Sequence, residues 1–521
     1  MSEKIGDIAF VGSGLSCTYT LLHYIEMLEK HPPGYKVMLL VLEKDSEFWT
    51  GIPYGKRSGY NSLIINPLKD FIPLAERALF INWLKNNINW ITDDIKERGG
   101  NVAEEWLRNN HSFISENTWE DIYIPRYVFG TFLKQRITTL LDCAVNNGLL
   151  EYQLIKADVV NIDKKNDLYF IEALDENKSS ITIPAKKVIL SIGSPPKKPL
   201  NPFAQEAADR SICYIEDIYE PDLTQNLRCV YKVLKKTATI EDNNILIIGS
   251  NASALEVFYN LENFKELKSL VNKFYIISPD GTFPHRINTQ TAAFQPHHLN
   301  LLKNDGSCTA RKIFNAVRKD VELAKAANIS IADTIDPVSK SVIELLNNLN
   351  FHEQKLFVSK YGGEIGKLQR RAGGEYRDVV DTLVSGNKVE FIKGKFLKPS
   401  VTGQDNFKFE YLDQQGRKRD IDKPIKVIIN CSGFQDLSRY STSSLISNLI
   451  SKKICVPNSS KRGFAVNESF EASHNFYLMG PLLAGNINSN IRVWHAESCS
   501  RIFSLSQQLA ESLIERGVAA Q

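Results

Sequence analysis

The sequence predicts an α/β protein built from two doubly wound halves, and three observations carry that prediction. An apolar strand running into a small-residue turn and then a helix occurs twice, once at Ile8–Cys17 and again at Ile245–Leu261. An acidic residue follows each turn at one distance: Glu43 lies 31 positions after Gly12, and Asp280 lies 31 positions after Gly249. Each half then passes through a meander of short strands to an apolar strand that ends in glycine, Gly193 or Gly433. One glycine motif alone is a weak signal, and the repeated order of elements is a much stronger one.

Composition bounds the classes. The chain has 521 residues, 43% hydrophobic and 24% charged, enough for two or three domains with full cores. A net charge of +3 gives no case for nucleic acid or an anionic membrane surface as partner. No segment approaches the ~20 apolar residues that span a bilayer, so no integral-membrane part is expected. The first seven residues carry both charge signs and do not read as a secretory leader. Eight cysteines are scattered with no C-x-x-C pair, which argues for reduced thiols in a cytoplasmic protein, against a zinc site and against a dithiol reductase.

The elements follow in order. Ile8–Val11 reads as a buried strand, Tyr19–Glu29 as a helix ended by His31-Pro32-Pro33-Gly34, and Val37–Leu42 as a second buried strand closed by Glu43 and Lys44. Residues 76–147 read as a helical insertion, its last helix starting at Arg126. Strands are expected at 158–162, 168–171 and 181–183, separated by charged turns, and then at 188–192 before Gly193. The second half repeats the order. Its helix begins after Gly249-Ser250-Asn251, a strand at 274–277 precedes Pro279-Asp280, and polar helices fill about 305–383. Strands at 389–392, 407–411 and 427–431 lead to Gly433. A strand at 476–479, the turn Gly480-Pro481 and a helix from 491 to 514 complete the chain.

The chemistry of the turns follows from their geometry. Small residues let backbone N–H groups and a helix N-terminus approach a pyrophosphate, and a carboxylate at the end of the second strand accepts from ribose hydroxyls. Gly12, Ser13, Gly14, Leu15, Ser16, Glu43 and Lys44 are therefore candidates for one nucleotide. Gly249, Asn251, Ser253 and Asp280 are candidates for another. The fold predicted is two Rossmann-like dinucleotide-binding domains with β-meanders: a discontinuous first domain from 1–238 and 431–521, and a second from 239–430, each with a helical insertion. Two dinucleotides in one chain point to electron transfer between them.

Other features weigh less. His297-His298 lacks a third ligand at useful spacing, so no metal is expected. Arg370-Arg371-Ala372-Gly373-Gly374-Glu375 reads equally as a phosphate or carboxylate clamp and as a solvated loop. Arg126, a cation at a helix start, hints at an anionic partner. Trp494-His495 follows the Asn-rich loop 485–490, and a core tryptophan is the plainer account. Cys17 is explained by the small residues that helix–strand packing needs.

These residues resemble the two-dinucleotide-domain flavoproteins of glutathione-reductase-like architecture. More narrowly, they are similar to the FAD/NAD(P)-binding family that includes the flavin-dependent urate hydroxylase and the aspartate N-monooxygenase. The resemblance rests on Gly12-Ser13-Gly14, Gly51-Ile52-Pro53-Tyr54-Gly55, Asn66-Pro67, the run Ile124-Pro125-Arg126 to Gly130, Gly193 with its prolines, and Gly480 to Ala496. It implies FAD in the first domain, with Gly51, Tyr54 and Asn66 along the flavin and ribityl side, and with Arg126, Gly193, Gly433, Gly480 and Pro481 in the cofactor sites. It implies NADH or NADPH in the second. Two departures stand out. Asn251 replaces a usual glycine. Pro279 and Asp280 stand where arginines for a 2′-phosphate often lie, which favours NADH unless Arg286 or the Arg370-Arg371 pair reaches the phosphate.

The function expected is an NAD(P)H-consuming, FAD-dependent monooxygenase that hydroxylates a small polar molecule with molecular oxygen, through a flavin hydroperoxide. No triad or paired carboxylates stand out, as expected where the cofactor carries the chemistry. A flavin reductase or dehydrogenase without oxygenation, and a flavin-bound scaffold without turnover, are the alternatives.

Overall fold

A computed structural model describes residues 5–200, 212–237, 239–287, 293–303, 308–402, 406–494 and 499–518. Two sheets organise it. In the first, β1 (Gly6–Val11), β2 (Val37–Glu43), β3 (Leu150–Lys156), β4 (Asp158–Lys165), β5 (Leu168–Leu174) and β6 (Ser180–Leu190) come from the N-terminal part of the chain. In the second lie β7 (Cys213–Ile215), β8 (Asn244–Ile248), β9 (Lys273–Ser278), β12 (Val389–Thr402), β13 (Asn406–Asp413), β14 (Lys418–Ile421) and β15 (Ile425–Asn430). The short pair β10 (His285–Arg286) and β11 (Arg371–Ala372) stands apart, and β16 (Glu471–Ser473) and β17 (Phe476–Leu478) return to the first sheet.

The two sheets share a parallel core. The first runs β17-β6-β1-β2-β3, and the second runs β7-β15-β8-β9-β12. The central strands are apolar throughout because helices cover parallel sheets on both faces. In β8 all of Asn244–Ile248 is buried. The helix Leu15–Lys30 is buried from Leu15 to Ile25 and packs on the C-terminal helix Cys499–Val518. The helical region between β9 and β12 has its own small core around Ile313, Val317, Val342, Phe357 and Trp494, so Trp494 is a core residue. His495 lies outside the described residues.

Several elements differ from expectation. β3 is a strand the sequence does not announce: polar and apolar residues mix along it without strict alternation, Leu154 is exposed at the sheet edge, and its pairing with β2 comes from tertiary context. The strands expected at 181–183 and 188–192 are one strand, β6. It pairs antiparallel with β5 through Ala185 and parallel with β1 from Ala185 onward, so the proline and lysines at 184–187 mark a change of partner and not a turn. The last helix covers Cys499–Val518 of the described residues, and it does not start near 491, because Arg492–Val493 pairs with Asn486–Ile487. Part of the segment before 238 joins the second sheet. β7 already pairs with β15, and the helix Leu223–Leu234 packs beside it. Each sheet takes its fifth parallel strand from outside its main run of chain, β17 from the C-terminus and β7 from the segment before β8.

Candidate functional site

The two turns are built alike. Gly12 has φ +90° and Gly249 has φ +104°, a region L side chains rarely adopt. A Cβ on Gly12 would meet the Ser191 carbonyl oxygen at 2.7 Å, and one on Gly249 would meet the Cys431 carbonyl oxygen at 2.1 Å. Ser191 and Cys431 are the residues just after β6 and β15. Gly12 N donates to Leu42 O and Gly249 N to Ile277 O, both at 2.8 Å. At the far ends of β6 and β15, Gly193 (φ +80°) and Gly433 (φ +97°) have no atom of the described residues within 4 Å of the Cβ position.

The first site is closely packed. Ser13 donates from its backbone N and its Oγ to Glu43 Oε2, each at 2.8 Å, and Asp45 N donates to Glu43 Oε1 at 3.1 Å. Lys44 is exposed beside them. Gly14 caps the helix Leu15–Lys30 and packs on Gly51, its Cβ position 3.4 Å from the Gly51 Cα. Gly51–Tyr54 is held from its other side by the helix Arg126–Asn146, where a Cβ on Gly130 would reach the Tyr54 carbonyl oxygen at 2.0 Å. Gly480 stands over Ser16, its Cβ position 2.3 Å from Ser16 Oγ, and leads into Pro481. Gly12, Ser13, Gly14, Gly51, Gly193 and Gly480 are thus gathered around one turn. Leu15 is buried at the helix start. The Tyr54 ring turns into an aromatic cluster, edge-on to Phe129 with centroids 5.3 Å apart and beside Phe71. Cys17 is buried, and burial followed by the Glu43 charge pushes its thiol pKa well up.

Arg126 has its anionic partner within the chain. Its Nη2 lies 2.8 Å from Glu256 Oε1, both side chains nearly inaccessible, and its Nε donates to Leu63 O at 2.7 Å. Burial opposes its charge, and Glu256 with three neighbouring tyrosines more than offsets that, raising its pKa. Glu256 belongs to the helix Ala252–Leu261 of the second half and also accepts from Tyr219 at 2.7 Å. Arg126 therefore ties the two halves together. The cation misplaced at a helix start was visible in the sequence, whereas its partner, 130 residues away, was not.

The second site departs in detail. Asn251 caps the helix Ala252–Leu261 with φ −90° and ψ −165°, close to Gly14 at φ −73° and ψ −168°. That backbone suits any residue, so the missing glycine costs no strain. Among the described residues Asn251 Oδ1 is buried without a hydrogen-bond partner, and Ser253 is half-buried. The spacing argument misplaces the acid. The residue aligned with Glu43 is Ser278, which closes β9 as Glu43 closes β2 and follows the acceptor of the turn glycine's N–H. Ser250, the counterpart of Ser13, has its Oγ 3.0 Å from Ser278 Oγ. Asp280 lies two residues on, exposed in the loop. Neither Ser250 nor Ser278 was singled out from the sequence, because serines carry no motif signal until the sheet aligns them.

A small cleft lies where the halves meet, lined by Ile65, Arg126, Ala252, Leu255, Arg371 and Tyr376 among others. Half-buried Asn66 adjoins Ile65. Arg371 Nη2 is 3.9 Å from exposed Asp336, and Arg286 is paired with Asp378. His297 and His298 stand edge to face at a helix start whose N–H groups donate to Asp320.

Known proteins agree with this geometry. Residues 9–195 match the family described as FAD-NAD(P)-binding. Protein Rv3403c of Mycobacterium tuberculosis is 32% identical over 511 residues, covering 98% of this chain and 95% of the relative, and protein Mb3437c of Mycobacterium bovis matches to the same extent. Among solved structures, the Kutzneria sp. 744 ornithine N-hydroxylase KtzI is similar with a TM-score of 0.55 at 12% identity, over 99% of this chain and 100% of that one. The cadaverine monooxygenase DfoA of Erwinia amylovora gives 0.54 at 11%, over 99% and 96%. Ornithine hydroxylase PvdA of Pseudomonas aeruginosa gives 0.53 at 14%, over 98% and 99%. At these identities the likeness shows a shared fold. The chain belongs to the family of the mycobacterial protein Rv3403c, and its residues 9–195 carry that family's FAD-NAD(P)-binding fold.

Proposed function

We propose that the protein is an FAD-dependent, NAD(P)H-consuming monooxygenase that hydroxylates a small amine. The observation that carries this is the pair of glycine turns, alike in their backbone hydrogen bonds and close carbonyl contacts, whose domains share one cleft. Glu43 and the Gly12–Ser16 turn would hold the FAD adenosine and pyrophosphate. Gly51 and Asn66 would border the flavin side, with Gly193, Gly480 and Pro481 leaving room for the cofactor. Gly249, Asn251 and Ser253 would receive NAD(P)H at the helix Ala252–Leu261, with Gly433 giving space beside it. When bound, the flavin supplies hydride acceptance and oxygen activation.

The residues of the chain supply position. Arg126 and Glu256 fix the two halves so that the cleft stays formed, and Leu255, Ile65 and Tyr376 keep it largely apolar. Arg371, with only a distant carboxylate, would orient an anionic group of the substrate. Buried thiols are held protonated, Cys431 pushed up to about 12 and Cys213 to about 11 chiefly by burial, so neither offers a ready thiolate as electron acceptor. The likeness to structures of ornithine, lysine and cadaverine hydroxylases supports an amine as substrate. The narrower resemblance to the urate hydroxylase and aspartate N-monooxygenase group rests on segments 51–67 and 124–130.

The test is turnover of the FAD-loaded protein under labelled oxygen gas with NADPH or NADH and a panel of small amines. The expected result is a product carrying one labelled oxygen per nucleotide oxidised. Nucleotide oxidation with no oxygenated product from any amine would instead identify a flavin reductase.

A further inference from the structure

The second strand of the second half ends without a charge. In the first half, β2 closes on Glu43, and a carboxylate at that place accepts from a ribose 2′-hydroxyl and repels a 2′-phosphate. In the second half, β9 closes on Ser278, whose hydroxyl receives Gly281 N at 3.1 Å and lies beside Ser250 Oγ. The acid that would exclude a phosphate is therefore missing from the position that excludes it.

Two cations flank this strand end. Lys393 is the β12 register partner of Ser278, so their side chains emerge on one face of the sheet. Its stem crosses the loop after β9: a Cβ on Gly281 would meet Lys393 Cγ at 2.4 Å. Lys393 is exposed, and among the described residues no carboxylate pairs with it. Arg370 approaches from the second helical insertion, where its carbonyl accepts from His285 N at 2.8 Å. It forms no ion pair among the described residues. Asp280 and Glu364 act on it electrostatically but do not compensate its burial, which draws its pKa down. Its neighbours differ: Arg286 is paired with Asp378, and Arg377 with Asp381 at 2.6 Å. A half-buried guanidinium whose burial is not compensated, and which feels Asp280 in the loop after β9, is suited to take up an anion.

We propose that Ser278, Arg370 and Lys393 form the recognition site for the 2′-phosphate of NADPH, so that the second half selects NADPH over NADH. Arg370 supplies a fork of donors and Lys393 a point charge. Ser278 supplies a hydroxyl and no repulsion. The inference rests on the second half being the NAD(P)H site, and it reverses the preference that Asp280 suggests in the sequence.

Calorimetric titration of the FAD-loaded protein with NADP⁺, NAD⁺ and adenosine 2′,5′-bisphosphate tests it without turnover. NADP⁺ is expected to bind at least about tenfold more tightly than NAD⁺, as one charge-assisted contact provides. Arg370→Ala and Lys393→Ala should each weaken NADP⁺ and the bisphosphate by about tenfold and NAD⁺ by less than about twofold. Ser278→Asp should reverse the preference. Lys393 is exposed on a strand, so its variant keeps the test open if Arg370→Ala unfolds. Equal binding of NAD⁺ and NADP⁺ by the unaltered protein, or equal weakening of both by the variants, overturns the proposal alone. Binding of neither nucleotide overturns the NAD(P)H site itself, and this inference with it.

Discussion

Ser278 lies beside Ser250, hydroxyl to hydroxyl at 3.0 Å, in the place where Glu43 accepts 2.8 Å hydrogen bonds from Ser13. The two halves share a backbone plan and differ in charge at one strand end. One strand end closes on a carboxylate, the other on a buried hydroxyl that accepts from Ser250 Oγ and Gly281 N.

Loss of Glu43 should be felt twice. Glu43→Ala leaves the buried Ser13 N–H without its acceptor, a cost of about 1–3 kcal/mol in unfolding free energy. It should also release FAD, read as flavin absorbance lost from the protein on desalting. A Glu43→Ala protein that keeps stoichiometric flavin would take this carboxylate out of the site.

Two residues of the second turn should behave in opposite ways. Gly249→Ala places a methyl group 2.1 Å from the Cys431 carbonyl oxygen at φ +104°, and should destabilise the protein by about 3 kcal/mol or more. Asn251→Ala removes a buried oxygen that has no partner from a backbone any residue adopts. Its stability should be unchanged or higher by up to about 1 kcal/mol. Denaturant unfolding of both variants would check this, and a strongly destabilised Asn251→Ala would show that the amide has a structural task.

Breaking the tie between the halves should be costly from either side. Arg126→Met strands Glu256 in the interior, at about 3–5 kcal/mol, whereas Arg126→Met with Glu256→Leu should recover most of that loss. Unfolding free energies for the single and double variants measure the coupling. Additive effects would mean that the pair does not act as a unit.

Glu375 should make stability depend on pH. Its Oε2 is buried without a partner among the described residues, and burial raises its carboxyl pKa. A carboxyl whose folded pKa exceeds its unfolded value favours folding while protonated. That contribution is present at low pH and fades as pH rises from the unfolded value towards the raised folded one. Glu375→Gln should therefore raise the melting temperature at pH 7 and change it little at pH 4. An equal change at both would assign the effect to packing.

Much of this was readable in the chain. The strands around Phe10, Leu40, Ile189, Leu246, Ile276 and Ile428 are apolar on both faces, and each glycine turn follows its strand directly. Buried parallel strands and left-handed turns restrict residue type so tightly that they show in a single sequence. The edge strand β3 was not readable, because its mix of polar and apolar residues follows no strict alternation. β6 read as two strands because its partner changes at Ala185, which no local pattern announces.

Local chemistry therefore determined the doubly wound plan, the two nucleotide turns and the first acid, since each depends on residues adjacent in the chain. Alignment across the sheets decided the rest. Equal spacing paired Asp280 with Glu43, yet the loop after β9 carries Asp280 past the strand end, and hydrogen bonding puts Ser278 there instead. Arg126 met Glu256, and Lys393 came to stand beside Ser278, only through strands and helices far apart in sequence. Charge acts across space, and the spatial neighbours of a charged residue are set by the packed fold.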